Sequence, residues 1–384
     1  MINALIVNHT AAMSGAEATT LELLRDPDDS FRYFWASPSG PLADAAKALG
    51  AEHIPLRGTA GSLRLHPRDT PVALAELAHM GMALRRATAR HQIHLVHAVS
   101  MRAGIVAAIC RRLGGPPFVV YQHDVAPPGR VGASIRRLVD PVAGRLVGCS
   151  QHVLDTLRRE GYQTPAEVVF EPVDLDSYSA DSGDADAVRE RLAPGPGPLL
   201  AEVAQITPWK GQDTAIRALA DVRRSHPDAR LLLVGSIKFA NRATRYDNHA
   251  YQAELERLVR ELGLEGAVIF AGQQPDIPTI MRAVDAILLP SWEEPFGRVV
   301  AEGMAAGCPV IATTVGGPAE TIADGRTGLL APPKEPAAWA AAITRLLDDP
   351  AFARRLGAAG RQAVGHLSLE RFHTAMRAAH LAAL

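Results

Sequence analysis

The sequence predicts an α/β protein with two Rossmann-like domains, whose parallel sheets face each other across a cleft. Three observations support this fold class. Short apolar runs alternate with longer helical patterns, a stretch rich in Asp, Ser, Gly and Pro interrupts them at residues 174–198, and a second alternating series follows. Alternating strands and helices are typical of parallel, doubly wound sheets. We therefore expect a first domain over residues 1–174 and a second over residues 190–368.

Each half contains enough predicted elements for such a sheet. The last helical pattern, at residues 369–384, is amphipathic and no strand follows it. The predicted strands of the first half are residues 4–8, 31–36, 93–98, 118–121, 145–149 and 167–170, and its predicted helices are residues 15–24, 41–49, 71–90 and 151–160. The predicted strands of the second half are residues 199–204, 230–234, 267–271, 286–289 and 309–312, with helices between them.

Composition narrows the class of protein. The chain has 384 residues, of which 47% are hydrophobic and 21% charged, and its formal net charge is −1. A near-neutral balance argues against a nucleic-acid partner, because such a protein needs surplus Lys and Arg to neutralise phosphates. Three cysteines without a CxxC pair predict a reduced, cytoplasmic setting.

No membrane or export signal is predicted. The N-terminal segment MINALIVNHT has no basic leader and is interpreted as a strand. No apolar run reaches the roughly 18 residues that a membrane span needs. Peripheral contact with a membrane stays open but is not indicated.

The segments that follow the predicted strands of the second half carry the chemistry, because ligands of doubly wound sheets bind at the carboxyl ends of strands. Most of these segments contain a glycine, a lysine or an acid, a set that suits a ligand with both phosphates and hydroxyls. They are QITPWKG (205–211), GSIK (235–238), GQQPDI (272–277), PSWEEPFG (290–297) and TTVGG (313–317).

The segment EPFGRVVAE places carboxylates on both sides of a predicted helix start. The unpaired N–H groups of Gly297, Arg298 and Val299 would favour a phosphate there. Glu294 and Glu302 can each accept hydrogen bonds from vicinal hydroxyls of a sugar. Sugar, diphosphate and ribose follow each other in this order in a nucleotide-sugar.

The plainer interpretation makes Glu294 a partner of the helix N-terminus and Glu302 a solvated acid. Either acid alone is better explained in that way. Glu294 and Glu302 occur together around one predicted helix start, and Lys210 on a neighbouring loop adds a mobile positive charge. This combination favours the interpretation as a ligand site.

Seven residues separate Glu294 from Glu302, and this spacing resembles the E-x7-E motif of retaining glycosyltransferases of the GT-B type, in glycosyltransferase family 4. The resemblance covers residues 199–335 and continues more weakly through the first half. It is carried by ITPWKGQDTAIRALADV, ARLLLVG, VIFAGQQPDIP, VDAILLPSWEEPFG and GCPVIATTVGGPAETIADGRTGLLAPP, and in the first half by SGAEATTLELL, VVYQHD, GRLVGCSQHVLDTLRREG and VVFEPVDLDSY.

The resemblance implies a role for each matched residue. Lys210 would bind the donor diphosphate, Glu294 the transferred sugar and Glu302 the ribose. From the opposite domain Gly15 would lie near the phosphates and His123 over the reacting sugar. The nucleotide base would rest between Gly272 and Ile277, the backbone of Phe296, Gly297, Arg298 and Val299 would hold the sugar and phosphates, and the helix at 369–384 would cross back to the first domain.

Two departures from the family pattern concern the phosphates. Ala204-Gln205 stands where the family has Gly-Arg, so Gln205 can donate a hydrogen bond but brings no charge. Arg298, Lys238 and Arg242 are candidates to compensate. Ser14-Gly15 replaces the usual Gly-Gly, which is a milder change. Neither departure predicts an inactive enzyme.

Several histidines invite other interpretations. His91, His94 and His97 do not predict a metal site, because residues three apart on a strand point to opposite faces. His97 could still touch an acceptor. His123 is a candidate general base, whereas the front-face mechanism proposed for retaining enzymes would leave it to orient the sugar.

Two basic stretches could meet an acidic acceptor or a membrane surface. They are the loop with Arg57, Arg64 and Arg68 and the helical stretch LRRATAR. We interpret both as solvated charge.

The sequence thus predicts a metal-independent, retaining hexosyltransferase without a cofactor. It would move a hexose or N-acetylhexosamine from a nucleotide-sugar, with UDP expected, to a hydroxyl of a small polar or glycan acceptor. An aminocyclitol or aminoglycoside of antibiotic biosynthesis is our first expectation for the acceptor, and a cell-envelope polysaccharide or a lipid-linked acceptor is the second. A nucleotide-sugar epimerase or hydrolase and an inactive nucleotide-sugar-binding protein are the alternatives. The oligomeric state is not predicted.

Overall fold

The computed structural model describes residues 1–58, 69–179, 184–238 and 246–384. The chain divides into two compact units, residues 1–172 with 369–384 and residues 173–368. Each unit has one parallel sheet connected by helices. The predicted α/β class is therefore confirmed for both units.

Unit 1 has seven strands in the order β3-β2-β1-β4-β5-β6-β7. The strands are β1 (Ile2–Val7), β2 (Phe31–Ser37), β3 (Glu52–Pro55), β4 (Leu95–Ala98), β5 (Phe118–Gln122), β6 (Arg145–Gly148) and β7 (Ala166–Val168). The helices before unit 2 are α1 (Gly15–Leu21), α2 (Pro41–Ala48), α3 (Asp69–Arg90), α4 (Met101–Arg112), α5 (Gly129–Val139) and α6 (Gln151–Arg159).

Unit 2 has six strands in the order β10-β9-β8-β11-β12-β13. The strands are β8 (Leu199–Val203), β9 (Arg230–Val234), β10 (Val268–Gly272), β11 (Ala286–Leu289), β12 (Val310–Thr313) and β13 (Leu329–Ala331). The helices are α7 (Leu175–Ser179), α8 (Ala185–Leu192), α9 (Gln212–Val222), α10 (Asn248–Glu261), α11 (Ile277–Ala283), α12 (Arg298–Ala305), α13 (Pro318–Thr321), α14 (Pro336–Asp348) and α15 (Pro350–Ala363). No helix within the described ranges has the length and apolarity to cross a membrane.

The central strands of both sheets are largely buried and mostly apolar. Residues 4–7 of β1 and 230–234 of β9 are all buried. Strands of a parallel sheet are covered on both faces, so they appear in the sequence as continuous apolar runs. This is why the sequence located these strands.

The order of unit 2 reverses between β8 and β11, which makes the carboxyl ends of these two strands the expected ligand position. The loops that follow them are joined there. The Trp292 N–H donates to the carbonyl oxygen of Trp209 at 2.8 Å. Residues that are distant in sequence are thereby held at one edge of the sheet.

The described part of residues 174–198, whose composition predicted a linker, contains α7 and α8 within unit 2. Asp184 caps α8 by accepting from the Ala187 N–H at 2.8 Å. Arg189 donates to the Gly197 carbonyl at 2.8 Å and to Asp285 at 2.9 Å. A helix cap and the contacts of one arginine therefore stabilise the structure of a stretch that is rich in Gly and Pro.

The last helix, α16 (Leu369–Leu381), belongs to unit 1. Arg377 pairs with Asp26 at 2.5 Å, and His373 contacts the carbonyl of Glu22 at 2.7 Å. His380 Nε2 lies 2.9 Å from His97 Nδ1, and both imidazoles are fully buried. His97 Nδ1 is thus paired with the C-terminal helix, and the ring is fully buried. The structure therefore does not support a contact between His97 and an acceptor.

Candidate active site

The loop between β11 and α12 is fixed by its backbone. The Glu294 N–H donates to the Val315 carbonyl at 3.3 Å, and the Gly317 N–H donates to the Glu294 carbonyl at 2.9 Å. Gly316 has φ +95°, and a Cβ there would lie 2.0 Å from the Glu294 carbonyl oxygen. The segment after β12 therefore needs glycine at this position in order to hold Glu294 in place.

The Glu294 carboxylate is paired with Lys210. Glu294 Oε2 accepts from Lys210 Nζ at 2.6 Å and from Ser291 Oγ at 2.8 Å. The Lys210 and Glu294 side chains are only 13% and 9% exposed. The ammonium also lies 4.0 Å from the centre of the Trp209 ring. The resemblance assigned Lys210 to the diphosphate and Glu294 to the transferred sugar. The structure brings these two side chains together as one ion pair that is largely shielded from solvent.

Helix α12 begins directly after this loop. Its N-cap, Gly297, adopts a left-handed conformation with φ +88°, which glycine tolerates best. Phe296 is buried beneath the loop, and Val299 lies in the first turn of the helix. The first N–H groups of such a helix have no intrahelical acceptor and favour an anion.

The second acid of the motif is also paired. Glu302 Oε1 accepts from Arg298 Nη2 at 3.1 Å, and the carboxylate is 10% exposed. Burial first, and the neighbouring Glu302 second, raise the pKa of Tyr178, whose helix α7 packs against α12. Arg298 is therefore bound to Glu302, which weakens it as a replacement for the missing arginine at Gln205.

The other predicted donor residues lie on neighbouring strand ends. The Gln205 carbonyl accepts from Gln212 Nε2 at 3.0 Å. Gly272 ends β10, and Ile277 begins α11. Lys238 is exposed, and Arg242 lies outside the described residues.

The two remaining predicted residues lie in unit 1. Gly15 begins α1, and His123 follows β5. His123 is buried, and its Nδ1 lies 2.7 Å from Glu171 Oε1. Of the basic loop, Arg57 is exposed, whereas Arg64 and Arg68 lie outside the described residues.

One group of side chains in the described part of the chain has the spacing to hold a metal ion. The ligand atoms of His123, Cys149 and Glu171 all lie within 4.8 Å of one another. The direct hydrogen bond between the imidazole and the carboxylate already uses two of these atoms. The expected independence from metals stays a prediction.

Glu202 is a buried acid that the sequence analysis missed. It lies on β8 and is 1% exposed, and in the described part of the chain neither carboxyl oxygen has a hydrogen-bond partner. Burial raises the pKa of Glu202 well above its ordinary value, although Lys210 nearby lowers it. The carboxyl group is thus held in its protonated form more readily than in water. An acid inside the apolar run LLAEV was the available signal.

Replacing Glu202 by leucine is expected to stabilise the chain by about 1–3 kcal/mol at pH 7, because it removes an unsatisfied buried polar group. The folded-state pKa of Glu202 is raised, so its contribution to stability is present below pH 4.5 and declines as the pH rises. The gain should therefore increase with pH in urea unfolding experiments. Glu254→Leu on the exposed face of α10 is the control and should change little. A destabilised Glu202→Leu protein would contradict this account.

Two family models match the chain. Residues 13–177 match the model described as Glycosyltransferase Family 4, and residues 185–363 match Glycosyl transferases group 1. The folds of the two units and these matches define the class of protein: it is a glycosyltransferase.

Curated relatives agree with this class. A D-inositol 3-phosphate glycosyltransferase of Corynebacterium kroppenstedtii is 31% identical over 309 residues, which cover 75% of this chain and 65% of that protein. D-inositol 3-phosphate glycosyltransferase 2 of Catenulispora acidiphila is 30% identical over 348 residues, which cover 85% of this chain and 78% of that protein. The chain belongs to glycosyltransferase family 4.

Solved structures show the same fold. The crystal structure of HepE from Anabaena in complex with UDP-glucose matches 98% of this chain and 99% of that chain, with a TM-score of 0.84 and 23% identity. The fold is therefore GT-B, as the sequence predicted.

Proposed function

We propose that this glycosyltransferase moves a hexose or N-acetylhexosamine from a UDP-sugar to a hydroxyl of a polar acceptor, with retention of configuration and without a metal ion. The observation that carries the proposal is the Lys210–Glu294 ion pair beside the N-terminus of α12. It combines a cation, a carboxylate and a helix N-terminus in one place. These are the groups that a sugar diphosphate requires.

On binding, the donor would replace the contact between Lys210 and Glu294 with its own contacts to each of these two side chains. Lys210 and the N–H groups of residues 297–299 would hold the diphosphate, and Glu294 would accept hydrogen bonds from the sugar. Glu302 would hold the ribose in the same way, with its carboxylate already oriented by Arg298. The base would lie between Gly272 and Ile277. The complex of HepE with UDP-glucose supports a UDP-sugar as the donor.

The proposed chemistry is a front-face substitution at the anomeric carbon. The bond from this carbon to the diphosphate oxygen breaks, and the acceptor oxygen bonds to the same face. The acceptor proton passes to the leaving diphosphate oxygen, so no protein base is consumed. Lys210 and the helix N–H groups stabilise the charge that develops on the diphosphate.

The relatives' names support a cyclitol acceptor, because inositol is one. In this chain Glu171 contacts the His123 imidazole in unit 1. Unit 1 contains a second buried carboxylate, Glu17 on α1. Carboxylates favour an ammonium group over a phosphate. We therefore place an aminocyclitol first and a phosphorylated or lipid-linked acceptor second.

An acceptor panel with UDP-glucose and UDP-N-acetylglucosamine tests the proposal. A diaminocyclitol, inositol and D-inositol 3-phosphate are compared by mass spectrometry, with and without EDTA. We expect a glycosylated diaminocyclitol, an unchanged rate in EDTA, and an anomeric proton coupling that shows the donor's configuration. Conversion of the donor without an acceptor would instead support an epimerase or hydrolase. Donor binding without any product would support an inactive binding protein.

A further inference from the structure

The carboxylate of Glu171 is engaged through both of its oxygens. Oε1 lies 2.7 Å from His123 Nδ1, and Oε2 accepts from Thr19 Oγ1 at 3.2 Å. The His123 and Glu171 side chains are only 5% and 6% exposed. Two separate elements, α1 and the loop after β5, therefore fix the direction of this carboxylate.

This contact determines which nitrogen of His123 carries the proton. An ionised carboxylate can only accept hydrogen bonds, so Nδ1 must be the donor. In the neutral imidazole Nε2 is then an acceptor. Nε2 is buried and has no hydrogen-bond partner among the described residues, and a buried polar atom left in this state is costly. A hydroxyl group of a ligand would satisfy it.

Neighbouring side chains further restrict the imidazole. The Tyr121 ring lies 4.1 Å from it, centre to centre, and the Tyr121 hydroxyl donates to the Val169 carbonyl at 2.9 Å. The ring therefore cannot turn freely between Tyr121 and Glu171. Cys149, directly after β6, and His97 on β4 also lie near the imidazole.

We propose that Glu171 is a positioning residue that fixes the Nδ1–H tautomer of His123 and so presents Nε2 as a hydrogen-bond acceptor to a hydroxyl of a substrate bound by unit 1. This inference rests on the proposed function. It assigns Glu171 a role that acts only through His123. It also accounts for a buried carboxylate to which the sequence analysis assigned no role.

Kinetics of Glu171→Gln test the proposal. The amide can turn an N–H towards Nδ1 and reverse the tautomer, so kcat/KM should fall about 10- to 100-fold, mainly through kcat. Glu167→Gln on β7 is the control and should stay within about twofold of the unchanged protein. An unchanged kcat/KM in Glu171→Gln would overturn the proposal.

Two further measurements separate positioning from simple structural support. Glu171→Ala should cause no additional loss in a His123→Ala background if it acts through the imidazole. Nitrogen NMR of His123 should show Nδ1–H in the unchanged protein and a shift towards Nε2–H in Glu171→Gln. An Nε2–H tautomer in the unchanged protein, or additive losses in the double variant, would refute the assignment. The NMR result needs no turnover, so it stands even if the proposed sugar transfer fails.

Discussion

Replacing Glu294 by glutamine or alanine is expected to lower kcat/KM for sugar transfer by at least about 1,000-fold, or about 4 kcal/mol of transition-state stabilisation. The transferred sugar would lose its charge-assisted hydrogen bonds to the Glu294 carboxylate. Lys210 would at the same time lose the partner that holds it 2.6 Å away. Initial rates with saturating acceptor measure the effect.

Glu293→Ala is the matched control, because Glu293 precedes Glu294 directly but is out of frame with Glu302. We expect its activity to stay within about threefold of the unchanged protein. Near-full turnover in Glu294→Gln would remove the basis of the whole site assignment. A large loss of activity in both variants would show that the loss comes from disturbing the loop and not from removing the Glu294 carboxylate.

The two Glu294 variants also separate activity from stability. Truncation to alanine leaves the Lys210 ammonium without its ionic partner in a site that is 13% exposed, which can cost about 3–5 kcal/mol. Glutamine keeps the shape of the side chain and costs less. Removing both charges in Lys210→Met/Glu294→Gln should recover stability without recovering turnover. Urea unfolding at pH 7 distinguishes these outcomes.

The fold was predictable where strands are mostly apolar, and elements with weaker patterns were missed. Strand β3, EHIP, is four residues long and lies at the sheet edge, so charge and proline obscure it. Helix α4 was missed because it is buried around most of its circumference and lacks a polar face. Local contacts that composition does not reveal, such as the Asp184 cap, formed α7 and α8 from a predicted linker.

The sequence identified the members of the candidate site better than their interactions. Spacing alone placed Glu294 in frame with Glu302. The pairing of Lys210 with Glu294 joins residues 84 positions apart, and the pairing of His123 with Glu171 joins residues 48 apart. Such contacts depend on strand order, which single-sequence patterns do not fix. Glu171 was missed for this reason.

Acid is expected to destabilise the protein through the buried pair His97 and His380. Burial lowers the pKa of His380 from 6.5 to about 3 and the pKa of His97 well below its ordinary value. Only one hydrogen can lie between His97 Nδ1 and His380 Nε2, which are 2.9 Å apart. Protonating both rings would set two charges against each other inside unit 1.

The sign of the pH dependence follows from these shifts. Between the folded and unfolded pKa values the unfolded chain binds more protons than the folded chain. The contribution to stability is therefore complete above pH 6.5 and is lost as the pH falls towards 3. Each histidine that must be protonated lowers the free energy of unfolding by up to about 1.4 kcal/mol per pH unit. His9, whose pKa burial lowers to about 4, adds to the slope.

Urea unfolding at pH 7.5, 6.5, 5.5 and 4.5 checks this prediction. The double variant His97→Leu/His380→Leu should lose less stability per pH unit than the unchanged protein, because neither site can take up a proton. His366→Leu, at an exposed position, is the control and should keep the original slope. If the double variant and the unchanged protein lose the same stability per pH unit, the acid sensitivity arises from groups other than His97 and His380. A reduced slope would show that the contact of α16 with β4 through two neutral imidazoles limits the stability of unit 1 in acid.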